Sequence, residues 1–228
     1  SAAASIGSFA AQRASAERWV LQGGEVRNFG GARLEGSDPE MPSLSIGKGS
    51  RLNLQSGTLR SVHARIGDSG PGLSEVWIMG EQSRWTNSGY IHVGEYAQGQ
   101  ILAFDGQLET EEVRIGMGEP GEAYLRGSQA KWEAGNVAVG FKNSTGKLSI
   151  ESGASMLARG LYLGFEDGSR GEVVISGRSA ERGSTLWSLG TNEIGRLGPA
   201  EMKVLDGGTF VHSQTVNLSA FQASATDS

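Results

Sequence analysis

Cysteine is missing from all 228 residues, which removes disulfides, thiolate zinc sites and thiol catalysis at once. No apolar run approaches the ~18 residues of a transmembrane helix, so nothing here spans a bilayer as a helix. A basic excess is missing too. The net charge is −5 and the isoelectric point about 5.3, without the cationic stripe that nucleic acid demands. Prolines number only 5 and no Gly-X-Y period runs through the chain, so a collagen helix is excluded. Aromatic residues make up 7% and hydrophobic ones 37%, which allows only a thin core of small and medium side chains. Helical spacing of apolar residues is scarce, with Ala10–Val20 the one stretch that approaches it. What the chain has in excess is glycine: 36 residues, against about 16 at average usage. Spread between short apolar runs, these glycines imply many sharp turns.

The turns are periodic. A β-branched or aliphatic residue precedes glycine at Ile46-Gly47, Ile66-Gly67, Val93-Gly94, Ile115-Gly116, Val139-Gly140, Leu163-Gly164 and Ile194-Gly195. Successive glycines lie 20, 27, 22, 24, 24 and 31 residues apart. A period near 25 belongs to solenoids and arrays, in which a unit buries its apolar face only against its neighbours. After each anchor comes a turn and then a short alternating strand closed by glycine. These strands alternate between two kinds. A shorter kind includes Ser74-Glu-Val-Trp-Ile-Met-Gly80 and Gly121-Glu-Ala-Tyr-Leu-Arg-Gly127. A longer kind, with one more residue before its closing glycine, includes Gly99-Gln-Ile-Leu-Ala-Phe-Asp-Gly106 and Gly146-Lys-Leu-Ser-Ile-Glu-Ser-Gly153. The repeat is therefore a pair of turns, 47 residues from Gly47 to Gly94 and 46 from Gly94 to Gly140. Each shorter strand is followed by a tryptophan, at Trp85, Trp132 and Trp187, where the longer kind has a smaller residue such as Leu59 or Leu108.

Strands of four to six residues in coils of roughly 20–27 residues predict an all-β fold, a parallel β-solenoid of about seven to nine coils with a two-coil period. Right-handed crossovers are the expected hand of such a β-helix. Trp85, Trp132 and Trp187 form a ladder in this reading, with indoles about 9.6 Å apart, twice the coil spacing. An indole inside the coil needs a partner for its N–H, whereas one at a corner leaves it wet, and the corner is the expected place. Gly47, Gly67, Gly94, Gly116, Gly140, Gly164 and Gly195 are the coil corners. The repeat domain covers 18–216, with 1–17 an N-terminal arm or cap and 217–228 a tail or cap. Two departures stand out, the insert Asp38–Pro42 and the segment Ser179–Ser184.

From Ser43 to Phe210 the repeat resembles the glycine-rich repeats of bacterial autotransporter passenger domains, secreted by the type V route, and those of PEP-CTERM-sorted surface proteins. The resemblance implies a location outside the cell or on the outer surface of a bacterium. It also implies roles as adhesin, biofilm component or surface scaffold.

Candidate chemistry is sparse. His63, His92 and His212 are far apart in sequence and fall at unlike positions of the repeat, so the expectation is three separate turn or surface histidines rather than converging metal ligands. The densest acidic stretch is Glu109-Thr-Glu-Glu112, near Arg114. Glu75, Glu122 and Glu172 recur at one repeat position and read as a structural ladder rather than a catalytic pair. Gly67-Asp-Ser-Gly70 and Glu166-Asp-Gly168 lack the nonapeptide pattern of calcium-binding β-rolls. No cofactor or metal is expected. Tyr90, Tyr96, Tyr162 and the three tryptophans are the candidate recognition elements. The expected function is a non-enzymatic extracellular structural or adhesive protein. Its partners are host or matrix glycans and proteins, or itself in an end-to-end filament. A polysaccharide-active enzyme, lyase or glycoside hydrolase, on the same fold is the alternative.

Overall fold

The computed structural model describes residues 14–16, 18–29, 32–180 and 182–218. Among them there is no helix, and every strand pairs with its neighbours in parallel. The chain is a parallel β-solenoid. Each coil lays one rung on each of three faces. The first face stacks eight strands, from Val26–Phe29 through Ser74–Met79, Gly99–Phe104 and Gly121–Arg126 to Ala200–Leu205. Eight coils lie within the expected seven to nine and make a rod of roughly 35 Å. The second and third faces are continuous in the middle coils, because one strand bends across the corner between them. Ser83–Val93, Gln107–Ile115, Lys131–Val139 and Ser155–Leu163 do this.

Alternation decides what each face buries, since successive side chains point to opposite sides of a strand. On the first face Leu54, Ile78, Ala103, Leu125, Ile150 and Ile175 pair in register and are all buried. On the third, Ile46, Ile66, Val93, Ile115, Val139 and Leu163 do the same. The core is thus a set of apolar columns along the axis, each coil closed by the next.

The corner after the third face explains the anchors. Gly67, Gly94, Gly116, Gly140, Gly164 and Gly195 all have φ between 55° and 78°, the left-handed region. Each donates its N–H to the residue before the preceding anchor glycine, as Gly140 does to Ile115 at 2.8 Å. A side chain at Gly140 would run into the backbone carbonyl of Arg170 in the next coil. Gly47 joins this hydrogen-bond ladder, donating to Leu21 at 2.9 Å, but the left-handed turn there falls on Lys48 (φ 53°) and Gly49 (φ 70°).

The two-coil period has a backbone cause. Longer and shorter strands have equal length on the first face: Gly99–Phe104 and Gly121–Arg126 are both six residues. The next residue is left-handed in both kinds, glycine at Gly80, Gly127 and Gly177, but Asp105, Ser152 and Asp206 in alternate coils. A Cβ at Gly127 would collide with the Asp105 carboxylate below it, so Gly127 accommodates that side chain, whereas Gly177 faces only the Ser152 backbone and Gly80 has nothing within 4 Å. Asp105 Oδ1 in turn accepts from Gln129 N at 3.1 Å.

The tryptophans are not at a corner. Trp85 and Trp132 are fully buried in an inward column of the second face, Leu59–Trp85–Leu108–Trp132–Met156–Leu186–Phe210. Trp85 Nε1 donates to Ser61 Oγ at 2.9 Å, whereas Trp132 Nε1 is buried with no partner. Trp187 leaves this ladder. It pairs with Leu157 and Val211, points outward and is 37% exposed, while its neighbour Leu186 takes the inward place. A shift of one residue flips a strand's faces. Here it follows the hairpin that begins at Arg178, which bridges Gly183, with Ser179 N bonded to Arg182 O at 2.8 Å.

The stack extends slightly past the expected boundaries. Ala14–Ala16 pairs with Ala32–Leu34, and Val216–Leu218 with Asn192–Ile194. The remainder of the expected arm and tail lies outside the described residues.

Candidate functional site

The third face carries the most varied chemistry. Its outward residues fall at fixed distances from the corner glycine. Two positions before it stand Arg65, His92, Arg114, Ala138 and Tyr162, paired in register. Four before it stand Tyr90, Glu112, Asn136 and Gly160, also in register. One after it stand Asp68, Glu95, Met117, Phe141 and Phe165.

At the N-terminal end these columns form a closed polar cluster. The Tyr90 ring stacks between His63 and His92, with centroids 4.3 and 4.1 Å away. Glu95 lies 3.0 Å from His92 Nδ1 and 3.0 Å from Arg65 Nε. The Arg65 contact is poorly aligned for a hydrogen bond, so it counts as an ion pair. Asp68 is bonded to Ser45 Oγ. The insert Asp38–Pro42 covers the cluster: Arg65 Nη2 donates to Pro39 O at 3.1 Å, Tyr90 OH donates to the same oxygen, and Arg18 Nε donates to Pro42 O at 3.0 Å. Two of the three histidines therefore do converge. His212 is separate, stacked on Phe210 at 5.6 Å. Among the described residues, no three His, Asp or Glu side chains group as a metal site.

Burial lowers the His63 pKa below its ordinary 6.5, helped by the charge of His92. Burial would raise Glu95, but the His92 hydrogen bond and the His92 and Arg65 charges outweigh it and lower its pKa. For a group such as His63, whose folded pKa is depressed, the unfolded chain takes up the proton first. Stability is then present above pH 6.5 and is lost as pH falls through the lower folded value. The thermal midpoint is expected to drop between about pH 7.5 and about pH 5.5, and His63→Gln is expected to flatten that slope. An equal slope in the variant would remove His63 as its source.

Beside this cluster the face opens into a cleft of about 270 Å³, lined by Glu112, Val113, Arg114, Asn136, Ala138, Phe141, Tyr162 and Phe165. Ala138 makes the cleft. It is a small residue between two large ones, with Arg114 one coil below and Tyr162 one coil above. The wall on the glycine side is a stack along the axis: the Arg114 guanidinium sits 4.7 Å from the Phe141 ring centre, Phe141 6.2 Å from Phe165, and Arg196 4.6 Å from Phe165 on the far side. Tyr162 meets Phe165 edge-on at 5.3 Å. Its ring lies over Gly160, where a Cβ would crowd both that ring and the Asn136 amide. Glu112 Oε1 is 2.6 Å from Arg114 Nε.

The chain has no match among family models, curated proteins or solved structures.

Each carboxylate of the acidic stretch has an arginine partner. Glu109 pairs with Arg84 at 3.1 Å, Glu111 with Arg159 at 3.7 Å, and Glu112 with Arg114. Glu75, Glu122 and Glu172 stand in one outward column of the first face, interleaved with Gln100 and Lys147. Glu75 is held by Arg51 at 2.6 Å and Glu122 by Tyr124 OH at 2.8 Å. Burial and the Glu122 bond push the Tyr124 phenol up to about 12. Tyr96 is an exposed loop residue, and Tyr90 and Tyr162 lie in the third face.

Sequence reasoning missed Arg65, Glu95, Phe141 and Phe165. Reading residues at fixed offsets from each corner glycine finds all four, and it also aligns His63 with Tyr90, each four residues before its glycine.

Proposed function

We propose that the chain is a non-enzymatic scaffold of the bacterial outer surface, a rigid rod that uses its third face for adhesion to a matrix or host ligand. The observation that carries this reading is the contrast within that face. The charged and aromatic groups over the first coils are paired with one another and covered by the insert Asp38–Pro42, while the Ala138 cleft beside them stands open. Self-assembly of such rods end to end belongs to the same reading, and electron microscopy at rising concentration tests it.

The adhesive role is tested by displaying the chain on a non-adherent bacterium and counting the cells retained under flow on mucin-, fibronectin- and cellulose-coated surfaces. Retention above that of cells displaying an unrelated β-solenoid is the expected result. Equal retention on all three coatings would sink the adhesive role. A glycan-depolymerising activity lost in Glu112→Gln would replace it with the enzyme reading.

A further inference from the structure

We infer that the cleft over Ala138 is a subsite for one neutral sugar ring of an extended glycan chain lying along the coil axis. This rests on the third face being the recognition surface. A pyranose presents an apolar C–H face and a rim of hydroxyls that each donate and accept. The cleft offers both complements: the Tyr162 ring with the edge of Phe141, whose faces are taken up in the axial stack, and a rim made of the Asn136 amide, the Glu112 carboxylate and the Arg114 guanidinium. Glu112 and Arg114 neutralise each other at 2.6 Å, so neither an acidic nor a basic ligand gains a net counter-charge from the pair. Arg114 is also fixed against Phe141, so the donors are set before a ligand arrives.

The pairing of the strand beneath the cleft closes one route to a peptide ligand. The peptide mode that relies on backbone pairing, strand addition, needs a free sheet edge. Lys131–Val139, which carries Ala138, is already paired on both sides, by Gln107–Ile115 and by Ser155–Leu163. Recognition there must use side chains. These recur along the axis at the coil spacing of about 4.8 Å, close to the length of one sugar unit in an extended chain.

The test is calorimetry of the whole chain with cellohexaose, xylohexaose and mannohexaose, and with trigalacturonate as the charged comparator. At least one neutral hexasaccharide is expected to bind. Ala138→Leu places its side chain in the cleft and not in the core, so it is expected to weaken that binding about tenfold or more while the thermal midpoint holds. Asn136→Ala is expected to weaken it as well. No binding by any of the three, unchanged binding in Ala138→Leu, or tighter binding of trigalacturonate each overturns the assignment. So does selection, from a displayed peptide library, of peptides whose capture is lost in Ala138→Leu. If no hexasaccharide binds and displayed cells are still retained under flow, the ligand assignment falls and the scaffold reading stands. Sugar binding without retention separates them the other way.

Discussion

Gly140→Ala is expected to cost about 3–4 kcal/mol in equilibrium denaturant unfolding, against about 1 kcal/mol for Gly80→Ala. Both glycines are left-handed, with φ of 76° and 85°, so alanine is strained at either. Only Gly140 faces a second obstacle. Its added methyl would meet the Arg170 carbonyl and the Gly171 amide, which are backbone atoms of the next coil and cannot rotate away. At Gly80 nothing lies within 4 Å. The difference between the two variants therefore measures how closely successive coils approach at the corner. Equal losses would mean that the corner is looser than the stacked register requires.

The tryptophans give the second large effect. Trp85→Ala and Trp132→Ala are each expected to lose about 3–5 kcal/mol, because each empties a fully buried place in a column closed above and below. Trp132→Ala should be the milder of the two. It also removes an indole N–H that has no partner, whereas Trp85→Ala breaks the bond to Ser61. Trp187→Ala is expected to stay within about 1 kcal/mol, since its ring points outward beside Leu157. Chemical denaturation of the three variants checks the order. A loss at Trp187 as large as at Trp85 would return it to the core.

These two sets of variants also mark what could be read from the chain. The coil register was legible because left-handed corners select glycine, and glycine is visible in a sequence. The alternation of coils was legible for the same reason. Its cause was not, because the aspartate or serine that replaces glycine after alternate strands looks like part of a longer strand. Trp187 misled because Gly80 and Gly127 each stand five residues before their tryptophan, whereas Gly177 stands ten before Trp187. The intervening hairpin removes the landmark, and a period of two leaves no tolerance for a slip. The His63–Tyr90–His92 stack was hidden for a reason of position. Its three members come from two coils at two different offsets, His63 and Tyr90 four residues before their corner glycines and His92 two before, so the spacing of the histidines alone does not show it. The cleft was hidden for another reason. It is made by the small size of Ala138, and an alanine in a strand carries no signal until its neighbours along the axis are known.

The stacked register itself is open to a direct measurement, helped by the absence of native cysteine. Arg60, Thr86, Glu109, Glu133, Leu157, Trp187 and Val211 form one outward column, one residue per coil. Spin labels on Arg60→Cys paired in turn with Leu157→Cys, Trp187→Cys and Val211→Cys lie four, five and six coils apart. Pulsed dipolar spectroscopy should return narrow distributions near about 19, 24 and 29 Å, growing by about 4.8 Å per coil. Broad distributions, or distances that do not rise in that even step, would contradict the solenoid on which the cleft and the scaffold reading both depend.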